Sequence, residues 1–450
     1  MVPPEASDSP PLPSETSAPW LPSHYQRAVL AVCERCVVTT REAVYTTRDA
    51  KLVGAGTRMT PALFERLMKH ELRTPLEHLL AMDGMVSQAS LAAQAHQMCL
   101  QDPPIELLVQ DDAGGVAAAT LAAPLHAISL PAALAFMLTV MRELAPAQLA
   151  HGLRAALVAT YLGMRRGWNK SECTRLAAAG LLHDIGLLHL DPAWRDTARP
   201  MAASERQQLA AHPTLAARLV HGWEVYPQSV AVAILEHHER MDGSGYPRGI
   251  RGEQISDMGQ MLLLAEVVSA FFEKYANDGA SVRLSLALRM DRQKFPESLA
   301  ALLLPLLQSS AIQPGHAGDL AEIRGASSRL AQALRHWSTL QAALPAGDPP
   351  VPEDSPAAWM ARRLATLQTS LFDTGAHPDH QTELLPLLQA DPAGVKELLF
   401  LMREALWQLQ SIASTALTRW PALGAEGDPR DAAARAWCDA LLRSLPAGEP

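Results

Sequence analysis

Apolar residues recur every three or four positions along most of the chain, which is the spacing of amphipathic helices. The pattern is most regular from about Leu130 to Trp337. Signals that begin helices recur within it, at Asn169–Glu172, Ser204–Gln207 and Pro227. The pattern therefore predicts an all-α domain over residues 131–340.

The residues ahead of this domain have a different pattern. Val44–Thr46 and Lys51–Val53 are short segments that favour a β-hairpin, and Thr60 is a good N-cap for a helix that follows. We therefore expect a small α+β accessory or regulatory region over residues 23–130. Residues 1–22 are rich in proline, serine and acidic residues, which predicts a disordered tail.

The prolines of residues 345–356 predict a linker, because proline lacks an amide donor and restricts the residue before it. Residues 357–445 are predicted to form a C-terminal helical region with one apolar stripe, made by Val395, Leu398, Leu399, Met402, Leu406 and Leu409. The stripe fits either a bundle core or a homodimer face. The predicted fold is thus mostly α, with a helical bundle, a small N-terminal α+β region and a C-terminal helical segment.

Composition narrows the classes of partner. A net charge of −9 and a pI near 6.0 give no basic surface for DNA or RNA. The most apolar window, Ala122–Met141, is interrupted by two prolines and a histidine, which argues against a membrane span. The five cysteines are scattered and no leader-like segment opens the chain, so we expect a cytoplasmic protein.

Histidines and carboxylates that suit a metal centre recur at similar intervals through the predicted domain, as His151, His183–Asp184, His212, His237–His238 and Glu266. Antiparallel helices would bring such positions to one level of a bundle. Imidazole and carboxylate groups are ligands for iron, manganese and zinc, and the two oxygens of Asp184 suit it to bridging two ions. The alternative is that Asp184 only caps local backbone and Gly186 ends a helix.

Two motifs make the pattern specific. His183-Asp184-Ile-Gly and the longer His237-His238-Glu-Arg-Met-Asp-Gly-Ser-Gly245-Tyr246-Pro247-Arg248-Gly together resemble the HD-GYP family of metal-dependent phosphohydrolases. The similarity covers about residues 145–275. It implies an all-α hydrolase that acts in signal transduction and hydrolyses the bacterial second messenger cyclic di-GMP, or a related cyclic dinucleotide, to pGpG or GMP.

The resemblance also implies roles for individual residues. It implies metal ligands at His151, His183, Asp184, His212, His237, His238 and Glu266, with His183 and Asp184 taking part in catalysis. The implied centre holds two divalent ions, Fe(II) or Mn(II), bridged by Asp184 and by a hydroxide that attacks phosphorus. The loop of Gly245, Tyr246, Pro247 and Arg248 is expected to shape the surface that meets the substrate or a signalling-protein partner.

Four positions depart from the family pattern. Leu187 stands where the family usually has lysine, and Glu266 where it usually has aspartate. Ser269 replaces a second aspartate, and Ala147 stands where members with three metals carry glutamate, so we expect two metals. The missing lysine keeps an alternative open, in which a catalytically weak domain binds cyclic dinucleotides or proteins as a signalling module.

Overall fold

The computed structural model describes residues 22–109, 116–195, 201–275, 279–308, 317–343, 355–380, 385, 391–425 and 428–444. Over these residues the chain is mostly helical with a few short strands, as the sequence predicts. The predicted tail, except for its last residue, lies outside the described residues, and so does the predicted linker up to residue 354.

The described α-helices, numbered in chain order, are α1 (His24–Arg35), α2 (Pro61–Leu67), α3 (Gln88–Gln101), α4 (Pro103–Val109), α5 (Ala118–Ala127), α6 (Ala132–Leu144), α7 (Pro146–Arg165), α8 (Lys170–Leu182), α9 (Ala203–Leu209), α10 (His212–Gly222), α11 (Gln228–Glu236), α12 (Asp257–Lys274), α13 (Ala280–Met290), α14 (Glu297–Gln308), α15 (Ala317–Ala342), α16 (Pro356–Asp373), α17 (Pro392–Arg419) and α18 (Pro429–Ser444). The strands are β1 (Val38–Thr40), β2 (Val44–Tyr45), β3 (Lys51–Val53) and β4 (Leu80–Met82). Short 3-10 helices lie at Leu76–Leu79, Ile185–His189, Pro192–Arg195, Gly252–Gln254, Arg292–Lys294 and Pro378–His380.

The first of two compact units contains the described residues up to Met85 together with Pro131–Leu144. Its strands form two antiparallel pairs, β1 with β4 and β2 with β3. The β2–β3 pair is the predicted hairpin. The Thr60 hydroxyl caps α2 by accepting a hydrogen bond from the Leu63 amide, as the sequence also predicts.

The second unit contains Val86–Leu130 and the described residues from Ala145 onward. The predicted boundary lies between residues 130 and 131. The two units divide the chain differently, because Val86–Leu130 belongs to the second unit and Pro131–Leu144 to the first. The physical reason is packing: α3 and α5 contact α7 of the second unit, whereas α6 contacts α1 and β4 of the first. The functional division of the chain remains a prediction.

The helices that position the candidate site pack closely within the second unit. Helix α7 contacts both α8 and α12, and α10 contacts α11. Helix α8 begins with the predicted capping box, in which Asn169 and Glu172 each accept from the other's amide. The predicted start of α9 at Ser204 is wrong. The helix begins at Ala203 with Ala202 as its N-cap, because the Glu205 carboxylate accepts a hydrogen bond from the Ala202 amide.

The C-terminal helices share one apolar core with α13 and α15. The predicted stripe lies in that core, where Leu399, Met402 and Leu409 are fully buried. The stripe is therefore a bundle core within the chain, which removes the sequence argument for a homodimer face. None of the described helices combines the length and apolar composition that crossing a membrane requires.

Candidate metal centre

The fold brings all seven predicted ligand residues together from five segments of the second unit. One lies within α7, two follow the last residue of α8, one begins α10, two follow the last residue of α11 and one lies within α12; in that order they are His151, His183, Asp184, His212, His237, His238 and Glu266. Adjacent His237 and His238 can face the same space because α11 has ended at Glu236, and their ring centroids are 4.2 Å apart.

Asp184 lies between two groups of histidines. Its Oδ1 is 3.2 Å from His212 Nε2 and 3.8 Å from His237 Nε2. Its Oδ2 is 3.6 Å from His183 Nε2. The two oxygens of one carboxylate thus face different imidazoles, which is the arrangement that a bridging ligand requires.

Glu266 completes the group on the His183 side. Its Oε2 lies 2.8 Å from His151 Nε2 and 3.3 Å from His183 Nε2. Three sets of side chains have their candidate ligand atoms within 4.8 Å of one another: His151 with His183 and Glu266, His183 with Asp184 and His237, and His212 with His237 and His238. Each set could hold a metal ion.

Backbone carbonyls fix the orientation of three of the imidazoles. In each case Nδ1 lies within hydrogen-bond distance of the carbonyl oxygen three residues earlier, so it carries the proton: His183 to Gly180 at 2.7 Å, His212 to Leu209 at 2.7 Å and His237 to Ile234 at 2.6 Å. A neutral imidazole that donates through Nδ1 presents a lone pair at Nε2. All three rings are therefore oriented as metal ligands commonly are.

Two contacts show that these lone pairs suit a cation. The Nε2 atoms of His212 and His237 are 3.2 Å apart, and two lone pairs at that distance repel unless a cation or a proton lies near both. The Nε2 atom of His183 is buried and makes no hydrogen bond of acceptable geometry, although Glu266 is close. Nitrogen and oxygen ligands of this kind fit divalent iron, manganese or zinc.

Electrostatics favours the form that could bind metal at four of the candidate ligands. Burial opposes the charged forms of Asp184 and Glu266, but the neighbouring histidines outweigh it and lower the pKa of both carboxyls. Burial lowers the pKa of His237, and it lowers the pKa of His238 to about 3. His151 and His183 are the exceptions. Burial opposes their charged forms, but Glu266 and Glu273 outweigh it at His151, and Asp184 and Glu266 outweigh it at His183, so the pKa of both imidazoles is raised.

The structure also decides the alternative for Asp184. Its side chain caps no backbone group, and the chain continues from it into the 3-10 helix Ile185–His189. Gly186 therefore does not end the helix. Instead it allows close packing, since a Cβ there would lie 2.4 Å from the His212 carbonyl oxygen. The glycine lets α10 approach close enough for His212 to face Asp184.

The loop after His238 folds back onto that histidine. The Tyr246 ring stacks on the His238 ring with centroids 4.6 Å apart, and the Tyr246 amide donates to the His238 carbonyl. Gly245 is required by this approach, because a Cβ would lie 2.4 Å from the backbone of His238 and Glu239. The bond between Tyr246 and Pro247 is cis.

Two glutamates that sequence reasoning missed anchor this loop. Glu236 accepts from the Arg248 guanidinium at 2.6 Å and from the Ser256 hydroxyl at 2.6 Å. Glu239 accepts from the Arg248 amide at 2.8 Å. Both carboxylates are buried. The sequence signal for them was their position, because Glu236 directly precedes the motif and Glu239 directly follows its two histidines. The Arg248 guanidinium is thus paired with Glu236 and stabilises the loop, in addition to any contact with a substrate or partner.

The departures from the family pattern have clear structural settings. Leu187 is buried within the 3-10 helix and brings no positive charge. The Ser269 hydroxyl donates to the Ala265 carbonyl one turn earlier, so it is satisfied within α12. Arg240, which sequence reasoning did not single out, interacts electrostatically with Glu266 and Tyr246 and supplies positive charge near the site.

A further pair of residues orients His151. Its Nδ1 lies 3.0 Å from Glu273 Oε1, and the same oxygen accepts from Arg154 at 2.5 Å. Arg154 is also paired with Asp102 at 2.7 Å. Glu273 lies on α12 two turns beyond Glu266, so the two carboxylates share one face of that helix. The His151 ring thus lies between the carboxylates of Glu266 and Glu273, and Arg154 holds Glu273 in place.

Comparison with known proteins places this geometry in a family. Residues 138–294 match the family model described as HD domain. The chain is 26% identical over 164 residues to the cyclic di-GMP phosphodiesterase PdeB of Borreliella burgdorferi, covering 35% of this chain and 42% of that protein. It is 32% identical over 117 residues to the cyclic di-GMP phosphodiesterase response regulator RpfG of Xanthomonas campestris pv. campestris, covering 26% and 30%. These residues form an HD domain of the HD-GYP family.

Two further similarities accompany this HD-GYP domain. The 3′3′-cGAMP-specific phosphodiesterase 3 of Vibrio cholerae is 27% identical over 175 residues, or 38% of each chain. A solved structure, Bd1817, a HDG"Y"P protein from Bdellovibrio bacteriovorus, is 16% identical with a TM-score of 0.34, covering 60% of this chain and 95% of that chain. The chain spans less than half the length of these curated relatives.

Proposed function

We propose that the protein is a metal-dependent phosphodiesterase that hydrolyses cyclic di-GMP, or a related cyclic dinucleotide, to pGpG or GMP. The observation that carries the proposal is the position of Asp184, whose two oxygens face two separate groups of histidines beside the Gly245–Arg248 loop. Similarity to phosphodiesterases of cyclic di-GMP and of 3′3′-cGAMP supports this substrate class.

The proposed ligands are the seven clustered residues, and Fe(II) or Mn(II) are the proposed ions. His183, His212, His237 and Asp184 would be central to the site, with His151 and Glu266 on one side and His238 on the other. When bound, two divalent ions supply the Lewis acidity that neutralises phosphate charge and makes water a nucleophile at neutral pH.

The remaining residues of the chain hold this arrangement and bind substrate. Carbonyl oxygens keep three imidazoles in the tautomer that presents Nε2. Tyr246 keeps its proton, because burial raises the pKa of its phenol. Its hydroxyl can therefore donate a hydrogen bond to a phosphate oxygen. Arg240, with its positive charge, would favour an anionic substrate at the same position.

Turnover of cyclic di-GMP by the metal-loaded protein tests the proposal. The full chain is loaded anaerobically with Fe(II) or Mn(II), and linear pGpG and GMP are measured by chromatography. We expect product from the native sequence and at least a 100-fold loss in Asp184→Ala, because the metal site would lose the carboxylate that faces both groups of histidines. No product at measured two-metal occupancy would overturn the proposal, and 3′3′-cGAMP in parallel assays tests the substrate class.

A second candidate function rests on Leu187. The buried leucine places no charge where the family usually has lysine, and a cation that contacts the transferred phosphate contributes several kcal/mol to catalysis. In this alternative the domain binds cyclic dinucleotides or a signalling protein without efficient turnover. Tight binding of cyclic di-GMP with no product would favour it.

A further inference from the structure

A cavity of about 680 Å³ lies behind the metal-site loop, between that loop and the C-terminal helices. The loop residues Asp242–Gly245 line one side, and α16 and α17 line the other. None of the seven clustered ligand residues lines it. Its volume falls within the range of about 300–1,000 Å³ that is usual for small-molecule sites.

The cavity is strongly cationic, although the whole chain carries a net charge of −9. Five basic side chains line it, which are Arg251, Lys294, Arg362, Arg363 and Arg419, against two carboxylates, Asp242 and Asp291. Both carboxylates are already paired, Asp242 with Arg363 at 2.6 Å and Asp291 with Lys294 at 2.9 Å.

Three arginines remain without a carboxylate partner among the residues that the structure describes: Arg251, Arg362 and Arg419. Their side chains lie on three different segments, the loop that follows the motif, α16 and α17. Guanidinium groups bind phosphate oxygens through two parallel hydrogen bonds. Three of them around one cavity match a ligand with phosphate groups.

Aromatic and neutral polar side chains complete the lining. Trp407 is 43% exposed, which is unusual for so large an apolar side chain. Trp359 also lines the cavity, with the Arg363 guanidinium 5.7 Å from its ring centre. Indole faces stack on nucleobases. The hydroxyls of Thr366, Ser411 and Thr415 provide hydrogen-bonding groups for base and ribose edges.

From these observations we propose that the cavity is a second ligand site, which binds a nucleoside phosphate. The arginines bind the phosphate and a tryptophan stacks on the base. This binding does not depend on the proposed phosphodiesterase activity, and it assigns a role to the C-terminal helices.

The cavity is connected to the metal site through Asp242. One oxygen of its carboxylate accepts from Arg363 of α16, and the other accepts from the amide and hydroxyl of Ser244. The following residues lead to Tyr246, which stacks on His238. A phosphate that competes with Asp242 for Arg363 would loosen this loop, so occupancy is expected to change turnover.

Binding of GMP to the full chain tests the site. Metal is first removed with EDTA, so that binding at the metal centre does not contribute, and affinity is measured by titration calorimetry. We expect GMP to bind, and affinity to fall about 10-fold for each of Arg362→Gln and Arg419→Gln, the usual effect of losing one charge-assisted hydrogen bond. Arg335→Gln, which removes an exposed arginine of α15 away from the cavity, is the matched control and should leave affinity unchanged.

Further probes identify what the cavity recognises. Guanosine and inorganic phosphate should each bind more weakly than GMP. Trp407→Ala should lower the affinity for GMP more than the affinity for phosphate. Trp407→Phe should retain most of the affinity for GMP. ATP in place of GMP tests selectivity for the base. Equal affinity for phosphate and GMP, or affinity unaffected by both arginine substitutions in variants with unchanged melting curves, would overturn the proposal.

The predicted link to turnover rests on the proposed function and is measured separately. GMP at saturating concentration should change kcat or KM for cyclic di-GMP at least 3-fold in the native sequence, and the change should disappear in Arg362→Gln. If the protein proves not to hydrolyse cyclic di-GMP, GMP binding by the metal-free chain still decides the second site.

Discussion

His212 and His237 face each other with their Nε2 atoms 3.2 Å apart, although both rings donate their Nδ1 hydrogen to backbone carbonyls. A neutral pair in this arrangement places two lone pairs in contact. A cation or a proton near both atoms would relieve the conflict, and Asp184 Oδ1 lies 3.2 Å from the same His212 atom. The fold therefore brings together groups that a bound metal ion could stabilise.

Metal removal should lower the stability of the protein. A metal ion that binds only the folded state stabilises it by about 2.7 kcal/mol at a concentration 100 times its Kd. EDTA should therefore lower the Tm, and Mn(II) or Fe(II) should restore it, with about two ions per chain by elemental analysis. In Asp184→Ala the metal-dependent change should be much smaller. If EDTA leaves the Tm of metal-loaded protein unchanged, this account of the site is wrong.

Glu273 should tune metal binding through His151, because its carboxylate holds the Nδ1 side of that ring. Loss of such a carboxylate–histidine contact typically costs about 10- to 100-fold in metal affinity. Glu273→Gln should thus raise the metal concentration required for half-maximal activity and leave kcat at saturating metal much less affected. Glu253→Gln, at an exposed glutamate, is the control, and a uniform fall in kcat at every metal concentration would exclude this role.

Leu187→Lys should increase turnover of cyclic di-GMP if the missing cation limits catalysis. The expected gain is about 10-fold in kcat, since one charge-assisted contact to phosphate contributes on the order of 1–3 kcal/mol. Because Leu187 is buried, the substitution also costs stability, and melting curves must accompany the assay. Leu187→Met changes shape without adding charge and should give no gain. An equal gain from both variants would assign the effect to packing.

Much of this centre could be predicted from the sequence. The seven clustered residues follow from helical periodicity and from motif residues that are close together in the chain. The supporting contacts could not be predicted, because they depend on packing between distant segments. Asp102, Arg154 and Glu273 meet from α7, α12 and the residue between α3 and α4.

The apolar stripe of the C-terminal region also shows that sequence does not reveal which distant segments pack together. Its period correctly indicated a buried face, but periodicity does not reveal what covers that face, and α15, α16 and α18 of the same chain cover it. The capping error at Ser204 has a local cause. The Glu205 carboxylate accepts a hydrogen bond from the Ala202 amide and stabilises a start before Ser204.

Gly245→Ala should disrupt the loop that covers His238. The added methyl group would lie 2.4 Å from the Arg240 amide and from the Glu239 Cα, and both are backbone atoms that cannot move independently. Overpacking of this kind costs about 1–3 kcal/mol. We expect a lower Tm and at least a 10-fold loss of turnover. Gly222→Ala, where nothing lies within 4 Å, should change neither, and a fully active Gly245→Ala would show that the loop tolerates displacement.

Asp242 should contribute stability that depends on pH. Burial disfavours its ionisation, but hydrogen bonds from Ser244 and the charge of Arg363 outweigh burial and lower the pKa of the carboxyl. A carboxyl whose folded pKa lies below its unfolded value stabilises the fold above the ordinary aspartate pKa, and it loses that contribution as pH falls through the lower folded value. Asp242→Asn should therefore lower the free energy of unfolding by about 1–3 kcal/mol at pH 7.

The same substitution should have progressively less effect as pH falls from the ordinary aspartate pKa towards the lower folded value. In that range the unfolded chain takes up a proton at this carboxyl, whereas Ser244 and Arg363 keep the native carboxyl ionised, so acid favours unfolding. Urea unfolding of metal-free protein at several pH values measures the difference between the two proteins. The exposed Asp83→Asn variant should show no such trend. A difference that stays constant from pH 7 into the acid range would show that Asp242 acts through its shape and hydrogen bonds, and that its charge does not hold the loop against α16.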